Sequence, residues 1–108
     1  MSEIELSPEN FDETIKSEVP VIVDFWASWC GPCQMLGPIF SELSNEYDEK
    51  ELKFAKCSTE DCPDVAGKYE ISSIPCLIIF KAGKEIERIV GFSNKDMLKA
   101  KIDEALKK

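Results

Sequence analysis

The sequence predicts an α/β sandwich, a central mixed β-sheet flanked by helices, and three observations carry that expectation. Two strand-like runs, the β-branched Val21 to Trp26 (VIVDFW) and Leu52 to Ser58, bracket a segment with apolar residues at helical spacing, the pattern of a βαβ unit. Two more runs, Cys76 to Lys81 (CLIIFK) and Glu85 to Val90 (EIERIV), flank Ala82-Gly83 as the arms of a hairpin would. A capped amphipathic stretch then closes the chain. Strands that alternate with helices and then pair antiparallel require both kinds of pairing in one sheet.

Each element has its own local reason. Ser7-Pro8-Glu9-Asn10 reads as an N-cap followed by Pro at the first helical position, opening a short helix that buries Phe11 and Ile15 and ends near Ser17. Pro20 introduces VIVDFW, whose apolar residues occupy both parities, so the strand is expected to be buried on both faces with Asp24 as its one charge. Leu36, Ile39, Phe40, Leu43 and Tyr47 predict a helix from about Cys33 to Tyr47, kinked at Pro38. Leu52 to Ser58 reads as a second interior strand, and Asp61-Cys62-Pro63 opens a short helix carrying Val65, Ala66 and Tyr69. EIERIV is charged enough for a sheet edge. Ser93-Asn94-Lys95-Asp96 supplies a cap with an acidic residue three positions on, and Leu98, Ile102 and Leu106 face inward from the last helix.

Composition narrows the functions open to such a fold. The 108 residues suit a single domain, residues 1–108, with 44% hydrophobic residues to fill one core. A net charge of -8 repels nucleic acid and anionic membrane surfaces, so proteins or small molecules are the expected partners. The opening MSEIELSPENF has neither a basic n-region nor an apolar h-region, and the longest uncharged apolar run, Ile71 to Phe80, is too short to span a bilayer. A cytoplasmic location is therefore expected. Five cysteines cannot all pair within the chain, and the absence of histidine removes Cys-His and Ser-His catalysis together with the commonest metal ligand. No metal or cofactor is expected.

The stretch Phe25 to Cys33 (FWASWCGPC) holds both tryptophans and two of the cysteines. Between a buried strand and a helix start, Cys30 meets free backbone N–H groups and the positive end of the helix dipole, which favour a thiolate. Cys33 lies one turn on, so the two sulfurs can reach bonding distance, with Cys30 alone expected to face solvent. Gly31 leaves room for a substrate chain, and Pro32 stiffens the turn. Two other readings stand beside this one. A structural disulfide across two residues would close almost no loop and restrain the unfolded chain little. A four-cysteine zinc site with Cys57 and Cys62 would sit in an unusual place, between a long strand and a long helix.

VDFWASWCGPC, Gly37-Pro38, Ile74-Pro75, Phe80-Lys81-Ala82-Gly83 and Val90-Gly91, in that order and at that spacing, resemble the thioredoxin family over nearly the whole chain. The resemblance implies a thioredoxin-like three-layer sandwich. It also implies a reversible dithiol that reduces disulfides in target proteins, with Cys30 as nucleophile and Cys33 resolving, and that is itself reduced by thioredoxin reductase. By the same resemblance Asp24 moves the proton of Cys33, Lys56 approaches Asp24, and a cis-Pro75 leaves the Ile74 backbone free to pair with a substrate strand that passes close to Gly91. Trp29 frames the site, whereas Trp26 is expected in the core. A monomer is expected. An oxidase or isomerase of the same fold, or a binding-only subunit of an assembly, are the alternative functions.

Three departures from the family pattern stand out. Gln34 occupies a position where many members carry lysine; Cys76 replaces the threonine common after the cis-proline; and Cys57 and Cys62 form CSTEDC. These three cysteines are expected to stay unpaired, with Cys57 and Cys76 buried and Cys62, ahead of Pro63, accessible and reactive; a second redox pair is the alternative.

Overall fold

The computed structural model describes residues 3–108, in which β1 (Ile4–Glu5), α1 (Phe11–Ile15), β2 (Val21–Trp26), α2 (Gly31–Ser44), β3 (Lys53–Ser58), α3 (Pro63–Lys68), β4 (Cys76–Lys81), β5 (Lys84–Val90) and α4 (Lys95–Leu106) follow one another. The strands form one mixed sheet in the order β1-β3-β2-β4-β5. β3 is parallel to both β1 and β2, while β4 is antiparallel to β2 and β5.

Helices cover both faces, and β2 at the sheet centre shows how. Val21, Val23 and Phe25 pack with Phe11 and Ile15 of α1 on one side, whereas Ile22 packs with Leu36, Phe40 and Leu43 of α2 and Leu98 and Ile102 of α4 on the other. Both parities are apolar because both faces are covered. Asp24 has the parity of Ile22 and so faces α2. Its strand neighbours in register are Lys56 on β3 and Leu77 on β4.

Several boundaries differ from the sequence reading. β1 has no local signal, since two residues cannot show a period, and exists through the pairing of Ile4 with Ala55 and Glu5 with Lys56. Ser7 to Asn10 is a turn rather than the first turn of a helix: the Asn10 and Phe11 amides bond back to the Ser7 carbonyl, and Asn10 is the N-cap. α2 begins earlier and ends earlier than Cys33 to Tyr47, running through Pro38. Its last turn tightens as the Asn45 and Glu46 amides bond to the Glu42 and Leu43 carbonyls, and Tyr47 reaches the core from beyond the helix, stacking against Phe54. α4 is capped by Asn94, whose side chain accepts the Met97 amide at 2.9 Å, and not by Ser93.

Candidate active site

β2 delivers the chain to the site. Beyond Trp26 the Cys30 amide closes a turn onto the Ala27 carbonyl, and Cys30, in extended conformation, caps α2. Pro32 fits the first helical turn because no intrahelical acceptor awaits its missing N–H. The Cys30 sulfur accepts the Cys33 backbone N–H at 3.2 Å, which satisfies one of the orphan donors of the helix start. Cys30 and Cys33 are joined by a disulfide, their Cα atoms 5.2 Å apart. The expectation that only Cys30 faces solvent is not met: relative exposures are 5% and 4%, because Cys30 is covered by Ala27, Trp26 and Ile74 in one small cluster.

Ile74 and Pro75 meet this pair from the other side. Their peptide bond is cis, and the Ile74 carbonyl oxygen lies 3.7 Å from the Cys30 sulfur. Gly91, at φ +90, donates its amide to the Pro75 carbonyl at 2.8 Å, a conformation in which a side chain would be strained. Trp29, next to the disulfide in sequence, is 71% exposed, and Val90 and Phe92 are also exposed.

Asp24 is 1% exposed beneath this layer, and its Oδ1 has no hydrogen-bond partner among the described residues. Burial pushes its carboxyl up from 3.8 to about 7, the Lys56 ammonium opposing the shift and Glu3 adding to it. Lys56 lies beside Asp24 in register, with its Nζ 4.9 Å from the centre of the Trp26 ring. Its stem thus runs along the partly buried indole rather than out to solvent.

A bracing network escapes sequence reasoning. The Glu60 carboxylate accepts the Ser28 amide at 3.0 Å and the Ser28 hydroxyl at 2.9 Å, which hold it below its usual range. Gln34 donates its side-chain amide to the Ser28 carbonyl at 2.6 Å. Ser28, two residues before Cys30, is thereby held from β3's trailing loop and from α2. Only the parallel register, with Trp26 opposite Ser58, brings residues so distant in sequence together.

CSTEDC lies apart from the disulfide. Cys57, Cys62 and Cys76 belong to the core on the α1 side, not to the cluster around Cys30 and Cys33, so the four thiols of the zinc alternative are not assembled. Cys62 is not the accessible thiol expected from its place before Pro63: it is 1% exposed, turned inward with its thiol donating to the Leu6 carbonyl at 3.9 Å.

The family model for thioredoxin matches residues 2–104. The chain belongs to the thioredoxin family. It is 46% identical over 101 residues to a thioredoxin of Chlorobaculum thiosulfatiphilum, covering 93% of each chain. It is also 42% identical over 106 residues to that of Staphylococcus haemolyticus, covering 98% of this chain and all of the relative. Among solved structures, the Malassezia sympodialis thioredoxin shares 30% identity and a TM-score of 0.89, with 97% of this chain and 91% of that one covered. With the vicinal cysteine pair at the helix start, membership of the thioredoxin family makes this protein a thiol-disulfide oxidoreductase, a protein-disulfide reductase. An oxidase, an isomerase or a binding-only module is not favoured.

Proposed function

We propose that Cys30 is the attacking thiolate, Cys33 the resolving thiol and Asp24 the group that takes the Cys33 proton. The observation that carries this assignment is the Cys33 N–H aimed at the Cys30 sulfur at the N-cap of a 14-residue helix. A sulfur anion there is stabilised by that hydrogen bond and by the helix dipole, an advantage Cys33 lacks one turn further in. In the reduced protein the Cys30 thiolate attacks one sulfur of a target disulfide, and the target's other sulfur leaves and takes up a proton. Cys33 then gives its proton to the Asp24 carboxylate and attacks the Cys30 sulfur, which releases the second target thiolate. Two electrons pass to the target, and the Cys30–Cys33 bond closes. A carboxyl titrating near 7 is suited to this exchange at neutral pH.

The target segment is read as lying against Trp29, the Ile74 backbone, Pro75 and Gly91, with Gly31 leaving room above the sulfur and Pro32 and Lys56 supporting the geometry. The exposed apolar surface of Trp29, Val90 and Phe92 supports this docking site. We further propose that residues 1–108 work as one domain and a monomer, in the cytoplasm, with a thioredoxin reductase returning the two electrons. The family relatives support this reading.

The test is capture. Cys33→Ser should accumulate mixed disulfides between Cys30 and a disulfide-containing target protein, because attack survives and resolution does not. Equal capture on Cys30→Ser would reverse the roles.

A further inference from the structure

Three free thiols lie outside this reaction, all buried on the α1 side of the sheet. Cys57 and Cys76 both flank Phe25 of β2, one on each neighbouring strand, so they stand about 10 Å apart, twice the inter-strand spacing, and cannot bond. Cys57 and Cys62 are differently disposed. The chain turns back directly after β3, the Asp61 and Cys62 amides both bonding to the Ser58 carbonyl at 3.2 and 3.0 Å. That turn returns Cys62 to the same buried cluster that holds Cys57. Burial pushes the Cys57 thiol up, which keeps it protonated and quiet while the fold is closed.

The covering element is short. α3 has six residues, none fully buried, and the side chain of its N-cap, Cys62, makes no capping bond to it. A helix so short gains its order from packing, here chiefly of Val65 and of Tyr69 at its end, and with none of its own residues fully buried it opens more easily than the core elements. We propose that Cys57 and Cys62 are a second two-electron thiol pair, closed to a disulfide by a hydroperoxide when the segment from Ser58 through α3 opens. One sulfur attacks the peroxide O–O bond, giving a sulfenic acid and releasing water or an alcohol. The other sulfur then displaces that hydroxyl as water. With hydrogen peroxide, two thiols and one peroxide give one disulfide and two waters.

The loop so closed is the one that braces the active site. Thr59 donates its amide to the Trp26 carbonyl at 2.9 Å, and Glu60 holds Ser28 through two hydrogen bonds. A bond between Cys57 and Cys62 tightens the chain on either side of Glu60, draws its carboxylate from Ser28 and loosens the cover over Cys30. This part rests on Cys30–Cys33 being the working couple.

The full chain, with Cys30–Cys33 already oxidised, is exposed to hydrogen peroxide, denatured, alkylated and cut with trypsin. Cleavage after Lys56 and Lys68 leaves both thiols on one peptide, CSTEDCPDVAGK. The expected peptide carries no alkyl group, is lighter by two hydrogens than the unmodified one, and takes both labels after treatment with dithiothreitol. Two labels at every exposure that leaves the protein folded, or a sulfinic acid on Cys62 beside a labelled Cys57, overturns the pair. In a second arm, dithiothreitol reduction of Cys30–Cys33 is followed before and after peroxide. The rate should rise roughly two- to tenfold, the equivalent of one lost hydrogen bond, and should not respond to peroxide in Cys62→Ala. A closed pair with an unchanged rate overturns the coupling to Ser28, whereas failed capture on Cys33→Ser would count against the Cys30 assignment alone.

Discussion

Asp24 concentrates the tension between stability and function in one side chain. A carboxyl buried at 1% exposure, with an oxygen that has no hydrogen-bond partner among the described residues, is an unfavourable place for a charge, and the fold relieves it by keeping the proton up to about pH 7. The native state therefore binds a proton more tightly than the unfolded chain, whose Asp titrates near 3.8. Stability from this group is fully present below that value and falls as pH rises toward 7, by on the order of 4 kcal/mol in all. Asp24→Asn should flatten this slope and make the protein more stable at pH 8 by up to that amount, with little change at pH 4. Urea unfolding at the two pH values measures it, and an unaltered slope would assign the pH dependence to other groups. The same variant should slow closure of the Cys30–Cys33 bond near neutrality, since no carboxylate then receives the Cys33 proton.

At the scale of elements, the β4–β5 hairpin shows two neighbouring residues with opposite demands. Ala82 and Gly83 both have positive φ, +53° and +83°, as the turn requires, and their amides dock onto the Ser17 and Ile15 carbonyls at the end of α1. Glycine adopts this backbone freely, while alanine is strained by about 1–2 kcal/mol. Gly83→Ala should thus cost about 1–2 kcal/mol, from backbone strain alone, because the nearest atom to a new Cβ, Lys16 Cγ, would be in ordinary contact at 3.9 Å. Ala82→Gly should be neutral or stabilising by less than about 1 kcal/mol, the relief of strain being partly offset by a freer unfolded chain. Equal effects of the two changes, measured by urea unfolding, would mean that docking onto α1 and not φ governs the turn.

Across the whole molecule, what the sequence disclosed is what local pattern can carry. β2, β4 and the cysteine pair at the start of α2 announce themselves through apolar runs, a Gly-Pro between two cysteines and the Ala82-Gly83 turn that ends β4. β1, the inward turn of Cys62 and the Glu60–Ser28–Gln34 brace do not, because each depends on a partner supplied by the sheet register. Charge is also a property of the whole, and it acts before contact. With 21 acidic against 13 basic residues, and neutral Gln34 and anionic Glu60 beside the disulfide, the protein presents a negative field to any partner. Attraction at a distance raises encounter rates and is screened by salt, whereas apolar contact with Trp29, Val90 and Phe92 is not. For a pair of disulfide-linked peptides that differ only in Lys against Glu flanks, kcat/KM of the reduced protein should favour the basic one by about tenfold at low ionic strength. The preference should shrink toward unity in roughly 0.5 M salt, as the Debye length falls to a few ångströms. A preference that persists at high salt would place selection in short-range contacts at the site, and no preference at low salt would leave the apolar surface as the sole determinant of which disulfides are chosen.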